Sequence, residues 1–163
     1  PRHAGVEAGP QITALVAHYS RSLAVPARRD PMAPAGLDGE ATFHRIGCAA
    51  CHSPELPAAP PTEGGQHRIR PYTDILLHDM GPGLADGRPE GEADGREWRT
   101  PPLWGIGLLP RVSGQAAYLH DGRAKSLLEA ILWHDGEARG SWASVIELPS
   151  STRANLLRFL ESL

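Results

Sequence analysis

The sequence predicts a mainly α-helical protein in which short helices are joined by long loops. Apolar residues recur at the 3.6-residue spacing of a helix in four segments, residues 11–25, 38–48, 126–135 and 151–162. The chain has 18 glycines and 16 prolines in 163 residues, and aromatic residues make up only 6%. This composition favours long shaped loops, as expected where a chain wraps a flat cofactor, and it leaves room for a small β-hairpin.

The first predicted helix and its linker form an N-terminal unit, residues 1–37, ahead of the main domain at 38–163. Apolar side chains fall on one face of this helix, at Ile12, Leu15, Val16, Tyr19 and Leu23. Pro26 ends the helix, and the prolines and glycine after it are typical of a linker. A second helix is expected after Asp38, a suitable N-cap residue, and it runs to about Cys48.

The second helix leads into the motif Gly47-Cys48-Ala49-Ala50-Cys51-His52. Two cysteines three positions apart, with a histidine directly after the second, are the attachment signature of a c-type haem. Each cysteine would form a thioether with a haem vinyl group, and His52 would bind the iron as the proximal ligand. A short helical turn would place both sulfurs at one edge of the porphyrin and the histidine beneath its centre. The sequence therefore predicts a cytochrome c-like helical domain wrapped around one covalent haem c, with Phe43 packed in the core and against the haem.

Three other uses of this cysteine pair remain open from the residues alone. A zinc site needs four ligands, and His67 and His78 stand at no recognised spacing from the cysteines. A thioredoxin-like redox pair usually follows a strand and opens a helix, whereas this pair closes a helical segment. A plain disulfide between the two cysteines is the third alternative.

Met80 is the predicted second axial ligand of the iron. It lies 28 residues after His52 in a loop rich in glycine and proline, whereas a methionine used as core filler usually sits on the apolar face of a helix. A thioether on the second face of the haem favours Fe(II) and raises the reduction potential. His78 is the rival ligand and would give a lower potential; otherwise it would hydrogen-bond to local backbone or to a haem propionate.

Residues 73–97 contain a helical prediction and an acidic loop. Residues 73–81 are predicted as one or two helical turns that break at Gly81. The following loop has four carboxylates that could bind calcium, but their spacing does not match an EF-hand loop, so a solvated loop is favoured. These carboxylates belong to Asp86, Glu90, Glu92 and Asp94.

Residues 98–107 form an apolar, kinked segment that is expected to lie near the haem. Haem propionates accept hydrogen bonds and need cationic partners, so Arg99 is predicted to pair with one. Trp104 is predicted to contact the haem, since a buried indole N–H also needs an acceptor. The alternative is a hydrophobic loop that only closes the core.

Two helices complete the predicted fold, in which all four predicted helices are expected to surround the haem. Ser126 is expected to cap the first of them, with Glu129 three residues on completing a capping box. His134 and the Asp-Gly pair after it end this helix. The last helix follows Pro149 and carries its apolar face at Leu156, Leu157, Phe159 and Leu160.

Four sequence blocks resemble a known family. They are GEATFHRIGCAACHSP at 39–54, YTDILLHDMGPGLADG at 72–87, WRTPPLWG at 98–105 and YLHDGRAKSLLEAILWH at 118–134. In this order they resemble the C-terminal haem domain of the bacterial di-haem oxidoreductases, also called thiol oxidoreductases, which are related to the di-haem cytochrome c peroxidases. The resemblance covers residue 39 to the C-terminus. It implies that Met80 is the distal ligand and that Arg99 and His120 lie near the haem.

The chain departs from this family in its number of haem motifs. Full-length members carry two, and this chain has one. In the peroxidase relatives, peroxide chemistry occurs at the N-terminal haem, while the methionine-ligated C-terminal haem handles electrons. The resemblance therefore implies the electron-handling half, either as a fragment or as a natural single-haem protein.

Charge and hydropathy limit the partners that the sequence predicts. The net charge is −3 and there is no basic block, so nucleic acid is not expected. No apolar run approaches the roughly 18 residues that a membrane span needs. The chain starts at Pro1 without a signal peptide, and a c-type haem is normally attached outside the cytoplasm. We therefore expect a periplasmic or extracytoplasmic protein from which a leader or a longer N-terminal part has been removed.

The sequence favours electron transfer over catalysis. With His52 and Met80 on the iron, no position remains for a substrate, and the haem edge would meet a redox partner protein or a second haem domain or subunit. An enzymatic alternative is a peroxidase or oxidoreductase with a labile distal ligand and an acid–base group such as His78, His120 or Glu97. A third alternative is a subunit of a larger electron-transfer assembly, with residues 53–71 and 85–97 as docking loops.

Overall fold

The computed structural model describes residues 8–58 and 67–163, and this part of the chain is mainly α-helical. The prediction of a mainly α fold is confirmed, and each of the four predicted helical segments overlaps an observed helix. The six α-helices of the described residues are α1 (Pro10–Ser22), α2 (Pro34–Arg45), α3 (Leu109–Ser113), α4 (Leu127–Leu132), α5 (Arg139–Glu147) and α6 (Ser150–Ser162). Short 3₁₀ helices lie at Cys48–Ala50, Ile106–Leu108 and Gly136–Ala138.

The ends of the predicted helices differ from the observed ones for local reasons. Helix α2 begins at Pro34, before the expected cap Asp38, because a proline at the first helical position has a suitable fixed φ and needs no hydrogen-bond acceptor. Helix α4 begins after Ser126, as predicted, and the Ser126 hydroxyl accepts the Glu129 N–H at 3.1 Å. The Glu129 carboxylate accepts from the Lys125 N–H, one residue before the position that a capping box uses.

The prediction of helical turns at 73–81 is wrong. Tyr72 and Ile75 have φ values of 55° and 65°, which a right-handed helix does not contain. The Thr73 hydroxyl accepts the Ile75 N–H, and the Asp74 carboxylate accepts the Leu76 N–H, both at 2.9 Å. These local side-chain bonds take the place of helical ones, so the segment is extended and ends in a strand.

Two antiparallel hairpins are present in the described residues, where the sequence left room for one. Strand β1 (Leu56–Ala58) pairs with β2 (His67–Ile69), and β3 (Leu77–Asp79) pairs with β4 (Glu97–Arg99). In the second hairpin His78 lies opposite Trp98. This hairpin brings the segment that precedes Met80 beside the segment that contains Arg99.

The core forms where α2 crosses α6. Phe43 and Phe159 are 2% and 0% exposed, and their ring centroids are 5.2 Å apart. The helices approach closely at Gly39, where a Cβ atom would clash with the Asn155 carbonyl oxygen and lie 2.7 Å from the Phe159 Cβ. Only glycine fits at this crossing, so α2 and α6 form one packed unit that supports the loops around it.

Segments near residues 80 and 135 are interlocked through two glycines. A Cβ on Gly136 would clash with the Asp79 carbonyl oxygen, and a Cβ on Gly81 would lie 2.9 Å from the Asp135 Cβ. The Asp79 N–H also donates to the Glu137 carboxylate at 3.0 Å. The turn after β3 is therefore held directly against the segment after α4.

Helix α1 does not join the other helices around the core. Its predicted apolar face is 55–68% exposed, at Ile12, Leu15, Val16, Tyr19 and Leu23. The residues of α1 therefore do not contribute to the core, contrary to the expectation that all four predicted helices surround a haem. In the described residues no helix has both the length and the apolar character needed to cross a lipid bilayer.

Candidate haem site

A cavity of about 580 Å³ lies between α2, α4, α5, α6 and the loops at 98–106 and 118–120. This volume falls within the range of about 300–1,000 Å³ that cofactor sites occupy. The wall is largely apolar and includes buried side chains such as Leu127, Val145 and Leu156. Seven residues predicted from the sequence line it, namely Phe43, Cys48, Cys51, His52, Met80, Arg99 and His120.

The cysteine motif lies on a short helical turn at one end of this cavity. Helix α2 ends at Arg45, and Gly47 takes a left-handed conformation with φ at 89°, which redirects the chain. The 3₁₀ turn Cys48–Ala50 follows, and the His52 N–H donates to the Cys48 carbonyl at 3.0 Å. The predicted turn is therefore present, and it places both cysteines and His52 in the cavity wall.

His52 is oriented by a backbone carbonyl. Its Nδ1 lies 3.1 Å from the Tyr72 carbonyl oxygen, and because a carbonyl can only accept, Nδ1 carries the proton. The other ring nitrogen, Nε2, then keeps its lone pair, which is the usual arrangement of a metal-binding histidine. Burial lowers the pKa of His52 to about 4, and the hydrogen bond to Tyr72 opposes this only in part. The imidazole is therefore neutral at physiological pH.

The environment of the cysteines does not suit thiol redox chemistry. Cys48 and Cys51 are free thiols, so the structure contains no disulfide between them. Burial raises the pKa of Cys48 to about 11, and burial followed by the charges of Asp74 and Glu137 raises that of Cys51. Redox-active cysteines have lowered pKa values, because the thiolate is the reactive form.

His78 is held by two carboxylates and faces Cys51. Its Nε2 lies 2.9 Å from the Asp74 carboxylate, and its Nδ1 lies 2.8 Å from that of Glu137. The bond to Glu137 is the main cause that raises the pKa of His78; burial opposes the rise and Asp74 adds to it. Ligand atoms of Cys51, Asp74 and His78 lie within 4.8 Å of one another, but Cys48 is outside this group. A zinc site that uses both cysteines is therefore not formed, and the side chain of His67 lies outside the described part.

Met80 lies in the cavity wall directly after β3. Its N–H donates to the Arg96 carbonyl at 3.0 Å, which continues the β3–β4 pairing by one residue. The side chain is half-buried. Its role as an iron ligand stays a prediction.

His134 is a cavity residue that the sequence analysis treated only as the end of a helix. Its Nδ1 donates to the Ala130 carbonyl at 2.8 Å, and its ring centroid lies 6.4 Å from that of His52 at an interplanar angle of 49°. Burial lowers the pKa of His134, although the bond to Ala130 opposes this. One signal was available, since position 134 continues the helical spacing of the buried positions 127 and 130, although α4 itself ends at Leu132.

Aromatic and cationic groups form one side of the cavity. The Trp98 indole is stacked on His120, with centroids 4.3 Å apart, and its N–H donates to the Leu84 carbonyl at 3.0 Å. Arg99 lines the cavity and is exposed, and it forms no ion pair with a carboxylate of the described residues. Burial, followed by the charge of Arg99, lowers the pKa of His120.

Trp104 differs from the other predicted site residues, since it is absent from the cavity wall formed by the described residues. The backbone on either side of Trp104 is held by two hydrogen bonds: the Leu103 N–H donates to the Pro71 carbonyl, and the Gly105 N–H donates to the Leu163 carbonyl. Leu103 and Ile106 line the cavity in its place.

The acidic loop at 86–97 behaves as a solvated loop. Asp86 and Asp94 accept backbone N–H groups of Arg88 and Arg96, each at 2.8 Å. Within the described ranges these carboxylates do not come together in a metal-binding group.

The helical fold and this cavity, with a Cys-x-x-Cys-His turn in its wall, define a haem-binding protein. The chain belongs to the di-haem oxidoreductases: the family model described as "Di-haem oxidoreductase, putative peroxidase" matches residues 1–163. The family resemblance read from the sequence is thereby confirmed. A search of curated proteins gave no match.

A solved structure supports the fold. The chain is similar to a chain of hydrazine synthase from Kuenenia stuttgartiensis, determined under 20 bar of xenon, with a TM-score of 0.62 and 19% sequence identity. The match covers 95% of this chain and 56% of the hydrazine synthase chain. At this identity the similarity establishes the fold only.

Proposed function

We propose that this chain is a c-type haem protein that carries one covalent haem and transfers electrons. The observation that carries the proposal is the placement of Cys48, Cys51 and His52 in the wall of one apolar cavity, with His52 Nε2 free to bind iron. Membership of the family supports a bound haem, and the Cys-x-x-Cys-His turn supports its covalent attachment through two thioethers.

Each wall residue has a proposed task. Cys48 and Cys51 hold the porphyrin through thioethers, and His52 binds the iron as proximal ligand, fixed by Tyr72. Phe43 packs beside His52, with ring centroids 6.3 Å apart. The haem iron, when bound, supplies a centre that alternates between Fe(III) and Fe(II).

Arg99 and His120 are proposed to bind the haem propionates. Within the described residues the Arg99 guanidinium has no carboxylate partner, and a bidentate bond to a carboxylate is its strongest type of contact. His120 is held in place by the Trp98 ring. A protein side chain in the second axial position of the iron would leave no site for a substrate. The sequence predicts that this side chain is Met80.

A second candidate function is a haem peroxidase or oxidoreductase with an open iron, which the family description favours. It needs an acid–base group in the cavity. Of the three candidates, Glu97 accepts the Asp94 N–H at 2.7 Å and lies outside the cavity wall, and His78 is bound to two carboxylates. His120 is the remaining candidate, and a high-spin ferric spectrum in the wild type would favour this function.

The partner is proposed to be a redox protein, or a second haem domain or subunit, because the family carries two haems and this chain has one attachment motif. The predicted docking loops are residues 53–71 and 85–97, and residues 59–66 of the first lie outside the described part. We also propose a periplasmic location, since c-type haem is attached outside the cytoplasm. A subunit of a larger electron-transfer assembly would use the same loops.

Expression with haem-attachment machinery tests the proposal. The purified chain should be coloured, and its intact mass should exceed that of the polypeptide by one haem. The double variant Cys48→Ala/Cys51→Ala should lose the adduct, because no other cysteine is available. The control His18→Gln, on the exposed helix α1, should keep it. A colourless wild-type chain with the mass of the bare polypeptide would disprove the proposal.

A further inference from the structure

We propose that His134 is the second axial ligand of the haem iron, so that the iron is bound by two histidines. This inference rests on the proposed function and assigns the position for which the sequence predicts Met80. The distance between the His52 and His134 rings, their hydrogen bonds and the fixed backbone around His134 each support it.

The distance between the two rings suits a shared metal ion. A metal–imidazole nitrogen bond is about 2.0–2.1 Å, so two imidazoles that bind one ion from opposite sides have ring centres roughly 6 Å apart. The His52 and His134 centroids are 6.4 Å apart, and both residues line the same cavity. The 49° angle between the ring planes is compatible with axial binding, because each imidazole can rotate about its own bond to the metal.

The hydrogen bonds of the two rings follow the same pattern. His134 Nδ1 donates to the Ala130 carbonyl at 2.8 Å, as His52 Nδ1 donates to the Tyr72 carbonyl at 3.1 Å. In each ring this leaves Nε2 deprotonated and available. A histidine that binds a metal typically donates its other ring N–H to a carbonyl or a carboxylate.

The His134 side chain is fixed more firmly than that of Met80, because its Nδ1 donates to the Ala130 carbonyl at 2.8 Å. The His134 N–H donates to the Ile131 carbonyl at 3.1 Å, and Gly136 is locked against Asp79. Met80 lies on the other side of this contact, with three rotatable bonds in an unbranched side chain. Both side chains line the cavity, but the bond from Nδ1 to Ala130 holds the His134 ring in place before the iron is bound.

Absorption and electron paramagnetic resonance spectra of the haem-loaded full chain test the assignment. His134→Ala should convert the low-spin ferric spectrum to high-spin, and added imidazole should restore the low-spin form. Met80→Leu should keep the low-spin spectrum, and the control His18→Gln should match the wild type. His134→Met should remain low-spin but gain the weak long-wavelength ferric band of methionine ligation and a higher midpoint potential.

Two outcomes would overturn the assignment: a low-spin His134→Ala protein, or a high-spin Met80→Leu protein. If His134→Ala fails to fold, proton magnetic resonance of the reduced wild type decides, because an iron-bound methionine methyl gives a strongly upfield signal and a bis-histidine haem does not. A wild type that carries no haem would instead disprove the proposed function. A haem-loaded chain with methionine ligation would overturn this inference alone.

Discussion

Three of the four histidines in the cavity wall differ in the atoms that their ring nitrogens contact. His52 and His134 each donate Nδ1–H to a backbone carbonyl and keep Nε2 free, whereas both nitrogens of His78 face carboxylates. A carboxylate stabilises the charged imidazolium. A hydrogen bond to a backbone carbonyl does not offset the cost of burying that charge, so a histidine of the second kind stays neutral. His78 is therefore suited to an ion-pair cluster, and the other two are suited to metal binding.

The sequence predicts only part of this residue-scale arrangement. The cysteine spacing identifies His52, because the motif is local. The carbonyl that orients His52 belongs to Tyr72, which lies 20 residues away in sequence and has a positive φ, and the sequence reveals neither feature. His134 was missed because the His52 ring, whose centroid lies 6.4 Å from its own, comes from a segment that is distant in sequence.

His78→Gln tests the ion-pair cluster through the pH dependence of stability. The folded pKa of His78 is raised above its ordinary value of 6.5, so its contribution is fully present below that pH and is lost as pH rises through the folded pKa. We expect the variant to be less stable by about 1 kcal/mol or less near pH 6, since such pairs are screened by solvent. The difference should shrink above pH 6.5.

Urea unfolding of the haem-loaded protein at several pH values measures this difference. The control His18→Gln, which removes an exposed histidine of α1, should be as stable as the wild type. A His78→Gln deficit that grows with rising pH would contradict the ion-pair interpretation.

At the scale of elements, local signals predict which segments are helical but not how they meet. The spacing of apolar residues identified α2 and α6, and Ser126 identified the start of α4. Helix α5 was missed, although Trp142 and Val145 from it line the cavity. The segment 73–81 was misread because its hydrogen bonds come from Thr73 and Asp74 side chains, and Thr73 is fixed by a 2.7 Å bond to the distant Thr100 carbonyl.

Gly39→Ala tests the crossing of α2 and α6. The added methyl group would clash with the Asn155 carbonyl, and the helices would have to move apart. We expect a loss of about 1–3 kcal/mol in the free energy of unfolding, as for other overpacked cores. Guanidinium unfolding of the haem-loaded protein measures it.

Gly36→Ala is the matched control on the same helix. A Cβ there meets only the Arg28 side chain, at 3.5 Å, so helix propensity should dominate and stability should rise by up to about 1 kcal/mol. If both variants lost the same free energy of unfolding, the close approach of the helices at Gly39 would not be the cause of the destabilisation.

At the scale of the whole molecule, Arg28 and Arg29 connect the segment after α1 to helices α2 and α6. Arg28 from the linker binds Glu40 on α2 at 2.5 Å, and Arg70 binds the same carboxylate at 3.1 Å. The Arg29 N–H donates to the Ser162 carbonyl at 2.8 Å. Composition predicts the loops that surround the cavity, but it does not reveal these contacts, because the paired residues lie up to 133 positions apart in sequence.

Glu40→Gln tests the ion pairs that Glu40 forms with Arg28 and Arg70. Burial raises the pKa of Glu40, but Arg28, Arg70 and the Tyr72 hydroxyl outweigh it and hold the pKa below its ordinary value of 4.5. The stabilisation is present above pH 4.5 and is lost as pH falls through the folded pKa. We expect the variant to lose about 1–3 kcal/mol at neutral pH, because Arg28 is 14% exposed and would be left without its charge partner.

Thermal and acid unfolding compare this variant with Glu55→Gln. Glu55 pairs with Arg68 but is 42% exposed, so its loss should cost less than about 1 kcal/mol. If the two variants are equally stable at neutral pH, the Arg28–Glu40 pair does not join the linker to the domain.

The contact between Gly81 and Gly136 has a practical consequence for redesign. Neither glycine has room for a methyl group, so the backbone at Gly81 and the backbone at Gly136 cannot shift independently beside the cavity. An insertion of one residue in either segment would displace the other. A redesign of the cavity must therefore change both segments together, or be confined to side chains that do not disturb the contact between Gly81 and Gly136.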